Sequence, residues 1–538
     1  MTQTIDHAAL LPAYLAAGTA VLALLVDLAV ARRVVTVAAT AAGVAAVAVA
    51  AWWVGTGPVR ETFCLAEPAG ACSWRADPGS ALVAVVFALL TLGVLGLSGY
   101  ALRSLPAGEY CFLLAASMTG GVVLGYSRDL ITLVVALETL TLPLYALVGL
   151  RRRSVDSAQG AVTFFVVSVV SVAVTLLGVA LLYAATGALH LAGVADRLAA
   201  GVPAELATLA TVGAVLVLAG LLFKVAAVPF HAWAPAAYDG APVPVAAYLS
   251  TASKLGGVVA VLYVVVLGLR PVLDVVGPAL AGFAVLTMTV GNLVALRQRR
   301  MVRLLAWSSV AQAGYILVPL GAFAVGSGRA DAALPVAVSA TVAYTVFYVM
   351  IELAAFGSVV ALRGGADGGT LDAYRGAARR SRLVGAAFTL ALVALAGLPP
   401  GLSGLFAKVV VIRSLLGGGA GWLAVIVAVN AVIGLAYYLP VAARLYAPLP
   451  APAAGVPVPA PAAGAPVPAP AAGPGPAAVA APSPAAVTQP ATALAAAGPL
   501  RGGGARVTAA ALAVATLVAI VAGFAPQLIL DAAALVAG

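Results

Sequence analysis

Apolar segments of membrane-spanning length follow one another from one end of the chain to the other. Of its 538 residues, 63% are hydrophobic and only 9% are charged. An α-helix needs about 20 apolar residues to cross a bilayer. On that length we predict fourteen spans, at 8–30, 34–54, 81–102, 109–127, 129–149, 159–186, 205–229, 243–268, 273–296, 304–326, 333–362, 383–415, 421–446 and 507–530. The sequence therefore predicts an all-α polytopic membrane protein and excludes a soluble cytosolic one.

The distribution of arginine tests this number of spans, because cytoplasmic loops carry an excess of basic residues. If the N-terminus faces outward, eighteen arginines fall on the inner side, and the outer side holds only Arg60, Arg75, Arg128, Arg197, Arg270, Arg329 and Arg413. A missed span would scramble this asymmetry. We therefore predict that both termini lie on the outer side, and we attribute the net charge of +10 to membrane orientation rather than to nucleic-acid binding.

Residues 447–505 have a different composition from the rest of the chain. They are rich in Pro, Ala and Gly, and PVPAPAAG occurs at 457–464 and again at 466–473. Such a composition cannot pack a core and favours extended, solvated backbone. We predict a disordered cytoplasmic linker before the last helix, with a partner-binding arm as the alternative.

The chain has only three lysines, and each lies within an apolar segment: Lys224, Lys254 and Lys408. A lysine ammonium can lose its proton when it is desolvated, whereas the guanidinium of arginine stays charged. An ionisable group inside the membrane costs at least about 2.5–3.5 kcal/mol and is a functional candidate by default. We infer that these lysines transfer protons. The alternative is that they reach the interface through their long side chains.

Two acids lie in apolar segments as well. Glu138, in LVVALETLTLPLYAL, is the natural partner of a buried lysine, and we predict that it pairs with Lys224; a purely structural ion pair is the alternative. Glu352 is a second buried acid whose role the sequence leaves open. His231 stands seven residues after Lys224 and would share its helix face, so both Glu352 and His231 are candidate relay or lining residues.

Prolines interrupt the segments that carry two of the lysines. Pro229 follows Lys224 by five residues, and Pro399 and Pro400 shortly precede Lys408. Helix breaks at membrane depth are tolerated where the freed backbone lines a polar cavity. The predicted alternation gives the two segments opposite directions. Two interrupted helices with buried ions in opposite orientation are what an inverted repeat of the transporter type predicts.

Cysteine and histidine are scarce, with three residues of each. This number does not provide a four-cysteine iron–sulfur site, and no metal site is predicted. Any redox chemistry would therefore belong to another chain. Cys64 and Cys72 lie in a predicted outward loop, where a disulfide is permitted but not required, and Cys111 is expected to be a small core residue.

Four motifs resemble the antiporter-like subunits of proton-translocating NADH-quinone oxidoreductase, respiratory complex I, and most closely its N-type subunit. They are ALETLTLPLYAL at 136–147, FKVAAVPFHAWAPAAYDGAPVPVAAYLSTASKLGG at 223–257, GNLVALRQRRMVRLLAWSSVAQAGYIL at 291–317 and LAGLPPGLSGLFAK at 395–408. The resemblance covers roughly residues 85 to 446. It implies fourteen helices with two inverted five-helix repeats, each containing a Pro-broken helix.

The resemblance also implies a division of the chain and a role for each buried charge. The N-terminal three helices would occupy 1–108, the two half-channels 109–268 and 269–446, and the C-terminal helix 506–538. Glu138 and Lys224 resemble the charged pair of the first half-channel, Lys254 the central relay, and Lys408 the terminal lysine of the second. Two positions depart from the family pattern: Thr163 stands where a lysine is usual, and Gln312 where many relatives have histidine.

The expected function is that of a proton-translocating membrane-arm subunit in a bacterial-type inner membrane. NADH, FMN, iron–sulfur clusters and quinone would bind partner subunits, so no cofactor is expected in this chain. Its partners would be lipid and other membrane-arm subunits, including other antiporter-like ones, without nucleic acid. The alternatives are a subunit of a cation/proton antiporter or membrane-bound hydrogenase complex, and a structural subunit that no longer pumps.

Overall fold

The computed structural model describes residues 5–65, 71–151, 153–448 and 503–537, and in this part the chain is predominantly helical. The α-helices are α1 (His7–Val30), α2 (Arg33–Gly55), α3 (Pro78–Leu97), α4 (Ala107–Tyr126), α5 (Leu130–Val148), α6 (Val155–Thr186), α7 (Leu191–Ala200), α8 (Ala204–Val225), α9 (Trp233–Gly240), α10 (Val243–Tyr248), α11 (Lys254–Tyr263), α12 (Leu273–Ala295), α13 (Met301–Leu317), α14 (Leu334–Arg363), α15 (Ala377–Arg380), α16 (Arg382–Ala396), α17 (Leu402–Gly417), α18 (Gly421–Tyr446), α19 (Gly503–Phe524) and α20 (Pro526–Ala537). The predicted polytopic helical membrane protein is confirmed at this level.

Thirteen helical segments within the described residues are long and apolar enough to cross a membrane. Each corresponds to one of the predicted spans. The remaining predicted span, 383–415, is instead two shorter helices, α16 and α17, with residues 397–401 between them. Helices α10 and α11 belong to one continuous segment, Val243–Gly268, which contains π-helical turns at Leu249–Ser253 and Val264–Gly268.

A β-hairpin is the one sheet among the described residues, and an all-α prediction omits it. Strand β1 (Arg60–Cys64) pairs antiparallel with β2 (Cys72–Ala76), and a disulfide joins Cys64 to Cys72. The disulfide that the sequence left open is therefore present. Cys111 is free and buried.

The last predicted span, 507–530, corresponds to α19 but extends past the end of that helix. Helix α19 begins at Gly503 and ends at Phe524, and a second helix, α20, begins at Pro526. Proline has no backbone N–H and disfavours helical geometry in the residue before it, so the helix stops at this point. Most of the predicted linker, 449–502, lies outside the described residues.

The two chain ends approach the same end of the bundle. The side chain of Asp6 caps α1 and forms an ion pair with Arg60 of the hairpin at 3.0 Å. Helix α20 packs against α3, where the backbone of Leu535 contacts Gly79 at the start of that helix. The hairpin, the start of α1 and the C-terminal helix thus lie together.

The most completely buried spans are Val243–Gly268, Met301–Ala324 and Leu334–Arg363, which form the centre of the bundle. Helices α1 and α2 pack with α3 and α4 on one side, and α6 packs against α8. Large apolar side chains of the outer helices remain exposed, as lipid-facing residues of a membrane protein should. The central spans contribute Lys254, Gln312 and Glu352 to the bundle interior.

Candidate functional site

An ion pair in the bundle interior joins the last turn of α8 to the middle of α5. The ammonium of Lys224, in the last turn of α8, donates to Glu138 Oε1 of α5 at 2.6 Å. It also donates to the hydroxyls of Thr141 (3.2 Å) and Ser168 (3.1 Å). The Lys224 side chain is 8% exposed and that of Glu138 is 23% exposed. All three donors of the ammonium therefore have acceptors, which a charge at this depth requires.

The chain is interrupted immediately after Lys224. Helix α8 ends at Val225, Ala226 adopts a left-handed backbone with φ of +61°, and α9 begins at Trp233. Side chains satisfy part of the freed backbone: the Trp233 indole N–H donates to the carbonyl of Phe223 at 3.1 Å, and the N–H of Val228 donates to the Thr287 hydroxyl at 3.0 Å. Irregular backbone at membrane depth is stable only when its polar groups are satisfied in this way.

Lys254 lies immediately after the first π-helical turn of its span. Such turns shift the register of a helix and are frequent at functional sites. The Lys254 ammonium donates to the backbone carbonyl and, at 2.7 Å, to the hydroxyl of Ser309 on α13. Three residues on, Gly257 packs directly on the backbone of Lys224, since a Cβ there would come within 2.8 Å of the Lys224 carbonyl carbon. This contact brings the two lysine-bearing helices together.

Lys408, on α17, is held by the end of the preceding helix. Its ammonium donates to the carbonyls of Leu395 (3.0 Å) and Ala396 (2.5 Å), the last two residues of α16. The last carbonyls of a helix have no partner within it and carry the negative end of its dipole. Gly397 ends α16 with φ of +83°, and the interruption therefore provides the cation with acceptors.

A polar cluster on α13 lies between Lys254 and Lys408. The Gln312 amide donates to the carbonyl of Leu395 (3.2 Å), which also accepts from Lys408, and to the hydroxyl of Tyr438 (3.2 Å). Tyr344 donates to the amide oxygen of Gln312 at 2.6 Å. Ser308, next to the Ser309 that binds Lys254, forms a hydrogen bond with Tyr438. Helix α13 thus carries polar side chains from one lysine to the other.

The remaining candidates take different positions. The expectation that His231 continues the face of Lys224 was wrong, because α8 ends at Val225 and His231 packs its ring against Trp307, 5.0 Å between centroids.

Thr163 is half-buried and is not among the hydrogen-bond partners of Lys224. Pro229 falls between α8 and α9, and Pro399 and Pro400 fall between α16 and α17. Glu352 is fully buried on α14.

Sequence reasoning missed most of the groups that hold the lysines. They are hydroxyl side chains and backbone carbonyls: the hydroxyls of Thr141, Ser168 and Ser309 and the carbonyls of Ser309, Leu395 and Ala396. Serine and threonine also bond their own helix, so a hydroxyl in an apolar segment gives little warning of its role. Backbone carbonyls give no sequence signal at all. Only the packing of helices identifies these acceptors.

A charged clamp joins the two halves of the bundle away from the lysines. Arg300, preceding α13, donates from Nε to both carboxylate oxygens of Asp239 on α9 (2.9 and 3.0 Å) and from Nη2 to Asp367 at 3.0 Å. The short helix α9 follows the interruption after Lys224, and α13 carries the Ser309 acceptor of Lys254. The clamp therefore ties α13, which carries an acceptor of Lys254, to α9, which packs against the helix α6 that carries the Ser168 acceptor of Lys224.

No group of three or more His, Cys, Asp and Glu side chains with metal-binding geometry occurs among the described residues. The carboxylate, hydroxyl and carbonyl groups described above bind lysine ammonium groups instead. Every lysine ammonium has an acid, a hydroxyl or a carbonyl within hydrogen-bond distance, and Lys224 is the lysine that is bonded to a carboxylate, the one of these acceptors that readily takes up a proton.

A helical membrane bundle with interrupted spans and three buried lysines defines a membrane subunit of the antiporter-like class. A family model described as "NADH:quinone oxidoreductase/Mrp antiporter, TM" matches residues 127–434. This is more than half of the chain, and the chain belongs to this family.

Curated relatives narrow the assignment. NADH-quinone oxidoreductase subunit N of Salinispora tropica is 63% identical over 99% of both chains, and subunit N 2 of Streptomyces griseus is 46% identical over 84% of this chain and 85% of its own. These similarities assign the chain to the N-type group, as the motifs predicted.

Solved structures share the fold. A chain of respiratory complex I from Thermus thermophilus with bound aureothin matches with a TM-score of 0.71 and 26% identity, covering 98% of this chain and all of that one. A chain of the Mrp complex from Dietzia matches with a TM-score of 0.74 and 24% identity, covering 98% and 97%. The latter similarity shows the common fold alone.

Proposed function

We propose that this chain is the N-type, proton-translocating membrane-arm subunit of an NADH-quinone oxidoreductase. The observation that carries the proposal is the buried ion pair between Lys224 and Glu138, with a nitrogen–oxygen distance of 2.6 Å, in the same bundle as the buried Lys254 and Lys408. Relatives with 63% and 46% identity bear the name of that subunit. NADH, FMN, iron–sulfur clusters and quinone belong to partner subunits in this proposal.

Changes in the pairing of Lys224 drive the movement of protons. Quinone reduction elsewhere in the complex would separate or reunite Glu138 and Lys224. At about 7 Å and an effective dielectric constant near 20, the attraction between the two charges is roughly 2.4 kcal/mol, which further separation removes. Moving one charge against 100 mV requires about 2.3 kcal/mol. A single change of this pairing is therefore comparable with the work of moving one proton.

The proton passes from Lys224 through Lys254 to Lys408. The contact of Gly257 with the Lys224 backbone supports the first step, because it holds the two helices at close approach. The polar cluster of Ser308, Gln312 and Tyr438 supports the second. Gln312 remains neutral near pH 7, so it lines this route by hydrogen bonding and is not itself charged.

We further propose fourteen spans that contain two inverted five-helix repeats. Helices α16 and α17 together would form the twelfth span. This span would be interrupted between its two helices, as the chain is between α8 and α9. In each proposed unit, 109–268 and 269–446, the interruption then falls in the fourth span. The ion pair of Asp6 with Arg60 and the contact of α20 with α3 support a location of both termini on one side, which the arginine asymmetry makes the outer side of the inner membrane.

The function is tested with the complete complex in proteoliposomes, by measuring NADH oxidation and proton uptake together. Replacing Lys224 or Lys408 by Met should reduce the protons pumped per NADH while quinone-linked NADH oxidation continues. Arg270→Met is the matched control, since it removes a positive charge from an ion pair whose two side chains are 53% and 91% exposed. Unchanged pumping in both lysine variants would leave a structural subunit as the better description.

The family model also includes Mrp antiporters, and a cation/proton antiporter subunit is the alternative function. The same proteoliposomes distinguish the two. A pumping subunit acidifies the lumen when NADH is supplied without Na⁺. Na⁺/H⁺ exchange that needs no NADH, together with purification of the chain without dehydrogenase subunits, would favour the antiporter.

A further inference from the structure

Glu352 is a fully buried acid on a central span that the relay above does not use. It lies on α14 with no solvent exposure, and neither of its carboxyl oxygens has a hydrogen-bond partner within the described residues. Burying a charged carboxylate without partners is strongly unfavourable. A carboxyl in this position must therefore take up a proton or acquire a cation.

The face of α14 that carries Glu352 is directed at the central lysine site. Tyr344, Tyr348 and Glu352 follow one another at intervals of four residues and share one helix face. Tyr344 donates to Gln312, and Tyr348 forms a hydrogen bond of 2.8 Å with the hydroxyl of Ser309. Both partners are on α13. Glu352 continues this row by one turn and is its only member without a bonded partner in the described chain.

The cation that this row of side chains faces is Lys254. The two groups interact electrostatically, and the Lys254 ammonium lies 5.5 Å from the centre of the Tyr348 ring, one turn before Glu352. In the structure the ammonium is bonded to the carbonyl and the hydroxyl of Ser309 instead. These two acceptors occupy two of its three donors, so one donor is free to turn towards another acceptor.

We propose that Glu352 is the proton-exchange partner of Lys254. The Lys254 side chain moves from Ser309 to Glu352 and forms a second buried lysine–glutamate pair, comparable with that of Lys224 and Glu138. Within this pair one Nζ–H bond breaks and one Oε–H bond forms, which leaves a neutral amine and a neutral carboxylic acid. The reverse transfer restores the ammonium and the carboxylate, and no other reactant is needed.

This exchange gives the central lysine a place to leave its proton. The flexible four-carbon stem of lysine allows the movement. While Lys254 is bonded to Ser309, a protonated Glu352 is the form that burial favours; when the ammonium approaches, the carboxylate form becomes stable. The inference rests on the proposed function and adds one acidic residue to its relay.

The test compares Glu352→Gln with Lys254→Met in the complete complex, using the same proteoliposome measurement. Glutamine keeps the shape of the side chain but cannot accept a proton, so we expect at least a tenfold loss of protons pumped per NADH in both variants. Glu352→Asp should restore part of the pumping. The matched control is Ser358→Ala on the same helix, whose hydroxyl bonds only its own helix, at 2.8 Å to the Ala354 carbonyl, and which should pump like the unmodified protein.

Infrared difference spectroscopy supplies a signal that a merely structural carboxyl would not give. We expect a carboxylic acid band that is lost in Glu352→Gln and shifted in Lys254→Met. Normal pumping by Glu352→Gln, or a band that Lys254→Met leaves unchanged, overturns the proposal. Failure of the proposed function looks different, because then Lys224→Met and Lys408→Met would pump normally as well.

Discussion

The ammonium nitrogen of Lys408 lies 2.7 Å from the point that a Cβ on Gly397 would occupy. Gly397 also has φ of +83°, in the left-handed region that favours glycine. The residue that ends α16 therefore makes room for the cation that the end of α16 binds. The two features depend on each other, since a larger residue would both strain the turn and displace Lys408.

Replacing Gly397 by Ala should consequently impair the role proposed for Lys408. The backbone strain costs about 1–3 kcal/mol, and the Cβ would push the ammonium away from the carbonyls of Leu395 and Ala396. We expect a lower yield of pumped protons per NADH, measured in proteoliposomes, at nearly normal NADH oxidation. Gly282→Ala is the control, because no atom lies within 4 Å of a Cβ there. Equal pumping by the two variants would contradict the prediction.

The acceptors of Lys224 predict a difference between two hydroxyl residues of α6. Ser168→Ala removes a hydrogen bond of 3.1 Å to the ammonium, which corresponds to about 1 kcal/mol and roughly a fivefold change in the pairing equilibrium. Thr163→Ala, five residues earlier, removes a hydroxyl that does not contact Lys224. We expect slower proton pumping for Ser168→Ala only. A larger effect of Thr163→Ala would show that the Thr163 hydroxyl itself takes over the task of the lysine that is usual at this position in the family.

The ion pair between Asp77 and Arg128, with an oxygen–nitrogen distance of 2.9 Å, predicts a pH dependence of stability near the hairpin. Burial alone would raise the pKa of Asp77, but the charge of Arg128 and the hydrogen bonds from Ser80 outweigh it and hold the pKa below its ordinary value of 3.8. The carboxylate thus stabilises the fold above about pH 4, and this contribution is lost as the pH falls through the lowered pKa.

Asp77→Asn should therefore reduce the free energy of unfolding by about 2 kcal/mol at pH 7 and by less at an acidic pH below the lowered pKa of Asp77. Thermal unfolding of the detergent-solubilised complex at the two pH values measures the difference. Asp331→Asn is the control, since Asp331 is 91% exposed and its ion pair should contribute little. The same destabilisation by Asp77→Asn at both pH values would rule out the ion pair as its cause.

The clamp of Arg300 predicts a loss of stability and of coupling together. Arg300→Met leaves Asp239 and Asp367 without their shared cation. The cost should be about 1–2 kcal/mol, below that of a fully buried pair, because Arg300 is 35% exposed. We also expect fewer protons pumped per NADH, since α13 carries the Ser309 acceptor of Lys254 and α9 packs against α6, which carries the Ser168 acceptor of Lys224. Arg329→Met, which removes only a bond to the Phe323 carbonyl, is the comparison. Lower stability with full pumping would limit the clamp to a structural role.

Several features could be predicted from the sequence because they depend on local composition. Thirteen spans follow from apolar length alone, and the interruptions near Lys224 and Lys408 follow from prolines that cannot continue a helix. The pairing of Glu138 with Lys224 is a prediction of the same kind. A buried charge needs an opposite one, and few acids lie in apolar segments.

Other features were not accessible in this way. The placement of His231 by helical periodicity failed, because the chain leaves the helix at Ala226, before the histidine. The division of the last span at Pro526 was missed, because a length criterion joins two apolar helices that one residue separates. The β-hairpin at 60–76 was missed because it is short and lies between two much stronger helical signals.

The sequence by itself determined that this chain crosses a membrane many times and that its three lysines lie within apolar segments, since lipid accepts apolar runs and makes each internal charge costly. Only the tertiary structure decided what holds each lysine. Lys224 has an acid and two hydroxyls, Lys254 has Ser309, and Lys408 has two carbonyls at a helix end. These acceptors come from other helices or from backbone atoms common to every residue, and which of them meets a given ammonium depends on how the helices pack.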